Sequence, residues 1–131
     1  MKTVVFACVQ NAGRSQMAAG FFNALADPRQ ARAVSAGTAP ARQVHPEVIQ
    51  VMREAGIDLS AARPQKLTDE LASGAQVLIT MGCDDACPYV PGLETRDWPL
   101  DDPSDQPLDR VRAIRDEIRQ RVEQLVAETV S

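Results

Sequence analysis

Cys8 and Arg14 are the residues whose types and spacing most directly suggest chemistry. Five residues separate them, and Ser15 follows the arginine at once. A cysteine thiolate is a nucleophile, and the planar guanidinium of arginine offers paired donors that fit a tetrahedral oxyanion. A serine hydroxyl beside them can donate a hydrogen bond to the sulfur. The spacing therefore predicts a nucleophilic thiol next to a bound oxyanion.

The segment around these residues is predicted to bind the oxyanion through its backbone. An apolar run over 3–7 is typical of a buried parallel strand, and residues 16–25 have the periodicity of a helix. A tight loop between the two turns successive N–H groups and the positive end of the helix dipole toward an anion. The same field favours the thiolate form of Cys8. The predicted oxyanion-binding residues are Val9, Gln10, Asn11, Ala12, Gly13, Arg14 and Ser15.

Two further cysteines, Cys83 and Cys87, follow a second apolar run and have three residues between them. They fit three interpretations: incidental loop residues, ligands of a metal, or a redox pair that supplies two electrons by forming a disulfide. Zinc requires about four ligands, and only Cys8, His45 and nearby carboxylates could complete the set. The sequence is therefore taken to contain no metal site.

The rest of the chain alternates strands with helices. Strands are predicted over 31–35, 75–81 and 94–98, and helices between Pro46 and Gly56, after the N-cap residue Thr68, and over 108–130. This alternation predicts a parallel sheet with crossover helices on both faces.

Three candidate residues each follow the end of a predicted strand, namely Cys8, Cys83 and Asp102. Ligands of such sheets bind outside the carboxyl ends of the strands, so all three are expected on one rim. His45, the only histidine, precedes a predicted helix and is interpreted as a surface or capping residue.

Composition bounds the range of functions. The 131 residues are 44% hydrophobic and 24% charged, which is typical of one globular domain spanning 1–131. The net charge of −4 argues against a nucleic-acid partner. No apolar run approaches the roughly 20 residues of a membrane helix, and the N-terminus lacks a signal-peptide pattern, so a cytoplasmic monomer without a bound cofactor is expected.

Several segments together carry a family resemblance. They are Cys8-x5-Arg14-Ser15, residues 11–18, Ser35-Ala36-Gly37, Met81-Gly82-Cys83 with Cys87-Pro88, Asp102-Pro103, and residues 112–118. In these segments the chain resembles the low-molecular-weight protein tyrosine phosphatase superfamily, and within it the thioredoxin-coupled arsenate reductases. The resemblance covers nearly the whole length. It implies an α/β fold, a three-layer sandwich around a central four-stranded parallel sheet.

The resemblance also implies a mechanism for arsenic detoxification. Cys8 would attack arsenate, Cys83 would then attack Cys8 and release arsenite, and Cys87 would attack Cys83 and free Cys8. Thioredoxin would reduce the final Cys83–Cys87 disulfide. By the same resemblance Arg14 and Ser15 assist Cys8, and Asp102, which precedes Pro103, is the general acid. Without the resemblance, Asp101 and Asp102 are also ordinary turn carboxylates.

Other functions stay open at this point. The chain could be a phosphatase acting on phosphotyrosine or small phosphoesters, although Ser104-Asp105-Gln106 stands where phosphatases of the family usually carry aromatic residues. Mycothiol or glutathione could replace thioredoxin as the reductant. A protein that senses an oxyanion or redox state without turnover is the third possibility.

Overall fold

A parallel four-stranded sheet in the order β2-β1-β3-β4 forms the centre of the computed structural model, which describes residues 2–82 and 92–130. The chain runs through β1 (Lys2–Cys8), α1 (Arg14–Leu25), β2 (Ala31–Gly37), α2 (Pro46–Glu54), α3 (Asp69–Ser73), β3 (Val77–Thr80), β4 (Glu94–Asp97) and α4 (Leu108–Val130). Every strand pair is parallel. The predicted alternation of strands and helices is therefore confirmed.

Strand β1 is the central element because both of its faces are covered. Val4, Phe6 and Cys8 point into the larger apolar cluster, whereas Val5 and Ala7 point into the smaller one. Successive side chains of a strand alternate between the two faces, so burial of both faces requires the continuous apolar run seen in the sequence. The strand ends at Cys8 and delivers that thiol to the carboxyl edge of the sheet.

The helices form the two outer layers. Apolar side chains of α1, α2 and α4 belong to the larger cluster on one face of the sheet. Leu71 of α3 packs with Leu67 and Leu78 on the other face. This arrangement is the predicted three-layer sandwich, with one face covered more extensively than the other. No helix within residues 2–82 and 92–130 combines the length and apolar character needed to cross a bilayer.

The order of the strands fixes where a ligand can bind. The chain moves from β1 outward to β2 and then crosses to the opposite side of β1 for β3 and β4. At such a reversal the loops after two neighbouring strands diverge and leave a crevice at the carboxyl edge of the sheet. The loop after β1 and Gly82, which closely follows β3, border this crevice.

A charged cluster joins α2 to α4. Arg112 donates to both carboxylate oxygens of Glu54, at 3.0 and 2.9 Å, and Arg115 donates to Glu54 at 3.0 Å and to the Val51 carbonyl at 2.9 Å. The Arg112 hydrogen bond, aided by Arg115, holds the pKa of Glu54 below its ordinary value of 4.5. The cluster therefore stabilises the fold only while Glu54 is ionised.

Glu54→Gln is expected to lower the melting temperature modestly at neutral pH, because the exposed pair contributes little and is screened by salt. A depressed folded-state pKa means that the stabilisation is complete above 4.5 and is lost as pH falls through the folded value. Melting curves of the two proteins, followed by circular dichroism, should therefore converge in acid. Glu123→Gln, on the exposed surface of α4, is the control. A difference that grows in acid would contradict this account.

Candidate active site

The loop between β1 and α1 is held with its carbonyl groups directed away from the crevice. The carbonyls of Cys8, Val9, Gln10 and Ala12 each accept a hydrogen bond from the segment over 38–45, at 2.8 to 3.1 Å. The Asn11 carbonyl accepts from the side chain of Gln16 at 3.1 Å.

The carbonyl and the following N–H of a peptide unit point in opposite directions. The N–H groups of Val9, Gln10, Asn11, Ala12 and Gly13 therefore face the other way, toward the crevice. Such a row of converging N–H groups, followed by a helix N-terminus, is an anion-binding nest. The N–H groups of the predicted oxyanion loop face the crevice because hydrogen bonds from the segment over 38–45 hold most of its carbonyls on the opposite side.

The Cys8 sulfur lies at the base of this nest. The side chain is buried, with 3% of its surface exposed. Asn11 N–H donates to Sγ at 3.3 Å, and the Ser15 hydroxyl lies 2.8 Å from Sγ. Asn11 Nδ2 donates to Ser15 Oγ at 2.7 Å, which leaves the hydroxyl hydrogen free to point at the sulfur. Two hydrogen-bond donors therefore converge on the Cys8 sulfur.

Asn11 fixes the shape of the loop. It has a φ of +51°, in the left-handed region that asparagine tolerates better than most residues. Its Oδ1 accepts from the Gln65 N–H at 3.0 Å and from Gln16 Nε2 at 3.3 Å. These donors determine which end of the amide faces Ser15, and so orient the hydroxyl toward Cys8.

Arg14 begins α1 and extends across the crevice to the loop after β4. Its Nη1 donates to the Leu100 carbonyl at 2.9 Å, and Nη2 lies 3.9 Å from Asp102 Oδ2. Only 11% of the side chain is exposed. Gly82, with a φ of +92°, lies so close that a Cβ there would come within 3.0 Å of the Arg14 Cζ. The guanidinium is thus fixed by one hydrogen bond and by close contact with a glycine.

Asp102 and its neighbour Asp101 point in different directions. Asp101 pairs with Arg110, away from the crevice. Asp102 Oδ1 accepts from the Ser104 N–H at 2.9 Å, while Oδ2 faces Arg14. Gly13 allows Pro103 to approach, since a Cβ on Gly13 would lie 2.8 Å from the proline Cγ. Close packing of Pro103 on the nest therefore brings the Asp102 carboxylate to the cavity.

These groups enclose a cavity of about 220 Å³. Its lining combines the nest, the thiol, one cation and one carboxylate, contributed by Cys8, Val9, Gln10, Ala12, Gly13, Arg14, His45, Gly82 and Asp102. The structure therefore brings Cys8 and Asp102 together at one edge of the sheet, as the strand ends predict, and Arg14 lies between the loops that carry them. Cys83 and Cys87 lie outside the described residues; Gly82, the chain neighbour of Cys83, lines the cavity.

The sequence profile described as Low molecular weight phosphotyrosine protein phosphatase matches residues 3–131. The chain belongs to this phosphatase family. A Halobacterium salinarum protein provisionally named an arsenate reductase is 44% identical over 128 residues, which are 94% of this chain and 89% of that protein. The glutaredoxin arsenate reductase of Synechocystis is 38% identical over 97% of this chain and 98% of its own length.

Solved structures of the family are also similar. An arsenate reductase in its oxidized state superposes with a TM-score of 0.87, at 36% identity, over 98% of this chain and 99% of that one. The thioredoxin-dependent arsenate reductase of Corynebacterium glutamicum gives a TM-score of 0.83 at 36% identity. The match covers 98% of this chain but only 61% of the Corynebacterium chain.

The cavity of this phosphatase-family chain can bind an anion, and the Cys8 thiol that lines it can attack that anion. Its fixed donors are the nest N–H groups and the Arg14 guanidinium, and Asp102 Oδ2 is the carboxylate oxygen that faces them. Among the residues that the structure describes, no group of three or more histidine, cysteine or acidic side chains is arranged to hold a metal ion.

Two cavity residues were not predicted from the sequence. His45, interpreted as a surface or capping residue, lines the cavity, and it makes no side-chain cap for α2. Gly82 lines it through its contact with Arg14. The sheet topology held a signal for His45, because the loop after β2 must also start at the carboxyl edge. Gly82 gave no local signal, since its neighbour Arg14 is distant in sequence.

Asn11→Ala is expected to destabilise the fold by about 3 kcal/mol, because it leaves buried donors without an acceptor and because alanine, unlike asparagine, has no polar side chain to ease the positive φ. Asn11→Gly should recover about 1 kcal/mol, since glycine removes only the backbone part of the cost. Urea unfolding of the three proteins measures both differences. If Asn11→Ala were as stable as the parent protein, the amide would not be what holds the loop.

Proposed function

We propose that this phosphatase-family chain is an arsenate reductase, which converts arsenate to arsenite for arsenic detoxification. The observation that carries the proposal is its similarity, over nearly its whole length, to proteins named arsenate reductases. The site supports it chemically, because a thiol whose sulfur is contacted by the Asn11 N–H and the Ser15 hydroxyl lies at the base of a nest for a tetrahedral oxyanion.

In the first step the nest and Arg14 bind arsenate, and the Cys8 thiolate attacks arsenic. A sulfur–arsenic bond forms and an arsenic–oxygen bond breaks. The departing oxygen takes a proton from Asp102, whose Oδ2 faces the cavity, and leaves as water. Arsenic is still As(V) at this stage. The donors of the nest stabilise the negative charge that builds up on the remaining oxygens.

Reduction occurs when Cys83 attacks the sulfur of Cys8. A disulfide forms between them, the sulfur–arsenic bond breaks, and its electron pair stays on arsenic, which becomes As(III) and leaves as arsenite. Cys87 then attacks Cys83, so that Cys8 is released as a thiolate and the disulfide moves to Cys83–Cys87. The first attack creates the disulfide and the second only moves it, so the two electrons come from two thiols of the chain.

A dithiol donor must return these electrons, and we assign that role to thioredoxin. The C. glutamicum neighbour is named thioredoxin-dependent, which supports the choice. Glutaredoxin, named for the Synechocystis relative, and mycothiol are the competing donors. In the glutathione- or mycothiol-linked route the small thiol would attack the arsenic adduct in place of Cys83, and Cys87 would be dispensable.

The second candidate is a phosphatase, because the family profile carries that name. Phosphotyrosine would need an aromatic wall around its ring, and the described cavity residues include no phenylalanine, tyrosine or tryptophan. Pro103 is followed by Ser104, Asp105 and Gln106, which offer none either. The cavity thus suits a small oxyanion better than an aryl phosphate.

The test is arsenate-dependent oxidation of NADPH with thioredoxin and thioredoxin reductase present. Steady turnover that is lost in Cys8→Ser and in Cys87→Ser is the expected result. Hydrolysis of a simple aryl phosphate is the control reaction, because it needs Cys8 and leaves Cys87 unused. Any such hydrolysis should be lost in Cys8→Ser and unchanged in Cys87→Ser.

Other outcomes would redirect the assignment. If turnover requires glutathione with glutaredoxin, or mycothiol, and survives in Cys87→Ser, then that small thiol is the electron donor in place of thioredoxin. Aryl phosphate hydrolysis with no arsenate turnover under any of these couplings would make the chain a phosphatase. Arsenate binding without either reaction would indicate a sensor.

A further inference from the structure

We propose that His45 and Gln10 form a second anion-recognition pair at the rim of the cavity, in which His45 orients the Gln10 amide so that its N–H groups face the bound oxyanion. Both residues line the cavity, and neither belongs to the chemistry of the thiol, the arginine or the carboxylate. The inference rests on the proposed function, since it deepens the recognition of substrate at the same site.

His45 is anchored to the oxyanion loop twice. Its backbone N–H donates to the Ala12 carbonyl at 3.0 Å, and its Nε2 lies 3.2 Å from Gln10 Oε1. An amide oxygen only accepts, so the imidazole must carry a hydrogen on Nε2 and donate it. The backbone of His45 is thereby held beside Ala12, near the end of the nest, while its side chain contacts Gln10, near the beginning.

The consequence falls on the free end of the Gln10 amide. With Oε1 taken by His45, the polar atom left for other contacts is Nε2, which donates to none of the residues in 2–82 and 92–130. A side-chain amide that turned its oxygen to an anion would repel it, whereas the nitrogen end adds two donors. His45 therefore selects the amide orientation that favours oxyanion binding.

The position of the pair favours a role in ligand recognition over a role in stabilising the fold. Gln10 is exposed and His45 is half-buried, so their hydrogen bond stands at the mouth of the cavity in contact with solvent. Exchanging such a bond for water changes the free energy of unfolding little. Its effect on a charged ligand is larger, because a donor already in place need not be ordered upon binding.

Calorimetric titration of the reduced protein with inorganic phosphate tests the pair without any turnover. Gln10→Leu should weaken phosphate binding about tenfold, and His45→Leu about three- to tenfold. The double variant should bind about as weakly as Gln10→Leu alone, because His45 acts through Gln10. His45→Gln, which can place an N–H near the same point, should stay within about twofold of the parent. Thermal melting of every variant should be unchanged.

Gln43→Leu is the matched control, since Gln43 lies on the same segment but lines a different groove, and its phosphate affinity should equal that of the parent. Additive losses in the double variant, or full affinity in both single variants, would overturn the pair. Arg14→Ala separates this from failure of the site itself: if the parent binds phosphate no better than Arg14→Ala, the proposed oxyanion site fails together with the pair.

Discussion

Asp102→Asn is expected to lower the rate of arsenate reduction about 100-fold or more, because the departing oxygen then leaves without its proton donor. Binding should be about as tight as in the parent, since asparagine resembles the protonated carboxyl group in size and leaves Arg14 in place. Asparagine keeps an Oδ1 that can accept from Ser104, so the turn is preserved. Single-turnover formation of arsenite measures the rate, and phosphate titration measures the binding.

Asp101→Asn provides the matched control for this variant. Asp101 is the adjacent residue with the same side chain, but it pairs with Arg110 outside the cavity. Its substitution should leave both the rate and the affinity near those of the parent. If Asp101→Asn lost as much rate as Asp102→Asn, the two carboxylates would be acting on the loop together, and proton donation could not be assigned to Asp102.

The main elements of the fold were predictable because their signals are local. Strand β1 is buried on both faces, and such burial leaves a continuous apolar run in the sequence. The short helix α3 was recognisable from its cap, since Thr68 does accept from the Leu71 N–H. The third strand was predicted over 75–81, whereas β3 spans Val77–Thr80. The flanking N–H groups of Gln76 and Met81 still donate to carbonyls of β1, so the prediction differs only at the frayed ends of the strand.

The chemistry of the site was partly predictable for the same reason. Cys8, Asn11 and Ser15 lie within one loop and one helical turn, so their spacing alone brings them together. The contacts that position Arg14 come from Leu100 and Gly82, far away in sequence. No local sequence pattern predicts such a contact, because it depends on where separate loops meet at the edge of the sheet. His45 differs from these, because its place after β2 was a signal that the topology already contained.

The contact between Gly82 and Arg14 links the loop after β3 to the oxyanion site. Arg14 can aim at the cavity only while Leu100 holds one nitrogen and the face of the guanidinium has room against the chain at residue 82. The arginine is the softer partner in this contact, since the atoms that a Cβ at residue 82 would meet lie at the far end of its flexible side chain. A side chain at that position would therefore move Arg14 rather than unfold the loop.

Gly82→Ala is accordingly expected to reduce kcat/KM for arsenate about 100-fold, the loss typical of one displaced oxyanion donor. A methyl group at residue 82 would overlap Arg14, so the guanidinium must leave its hydrogen bond to Leu100. The variant also carries a backbone cost of about 1–2 kcal/mol, because its φ is +92°. Steady-state kinetics measure the first effect, and urea unfolding measures the second.

Gly92→Ala separates the two costs. Gly92 has a φ of +83°, nearly the same as that of Gly82, but a Cβ there would meet no atom of the described chain within 4 Å. It should therefore lose about the same stability as Gly82→Ala while keeping the parent's kcat/KM for arsenate. Equal loss of kcat/KM in both variants would mean that backbone strain disturbs the site from a distance. Unequal loss, confined to Gly82→Ala, would trace it to the methyl group that displaces Arg14.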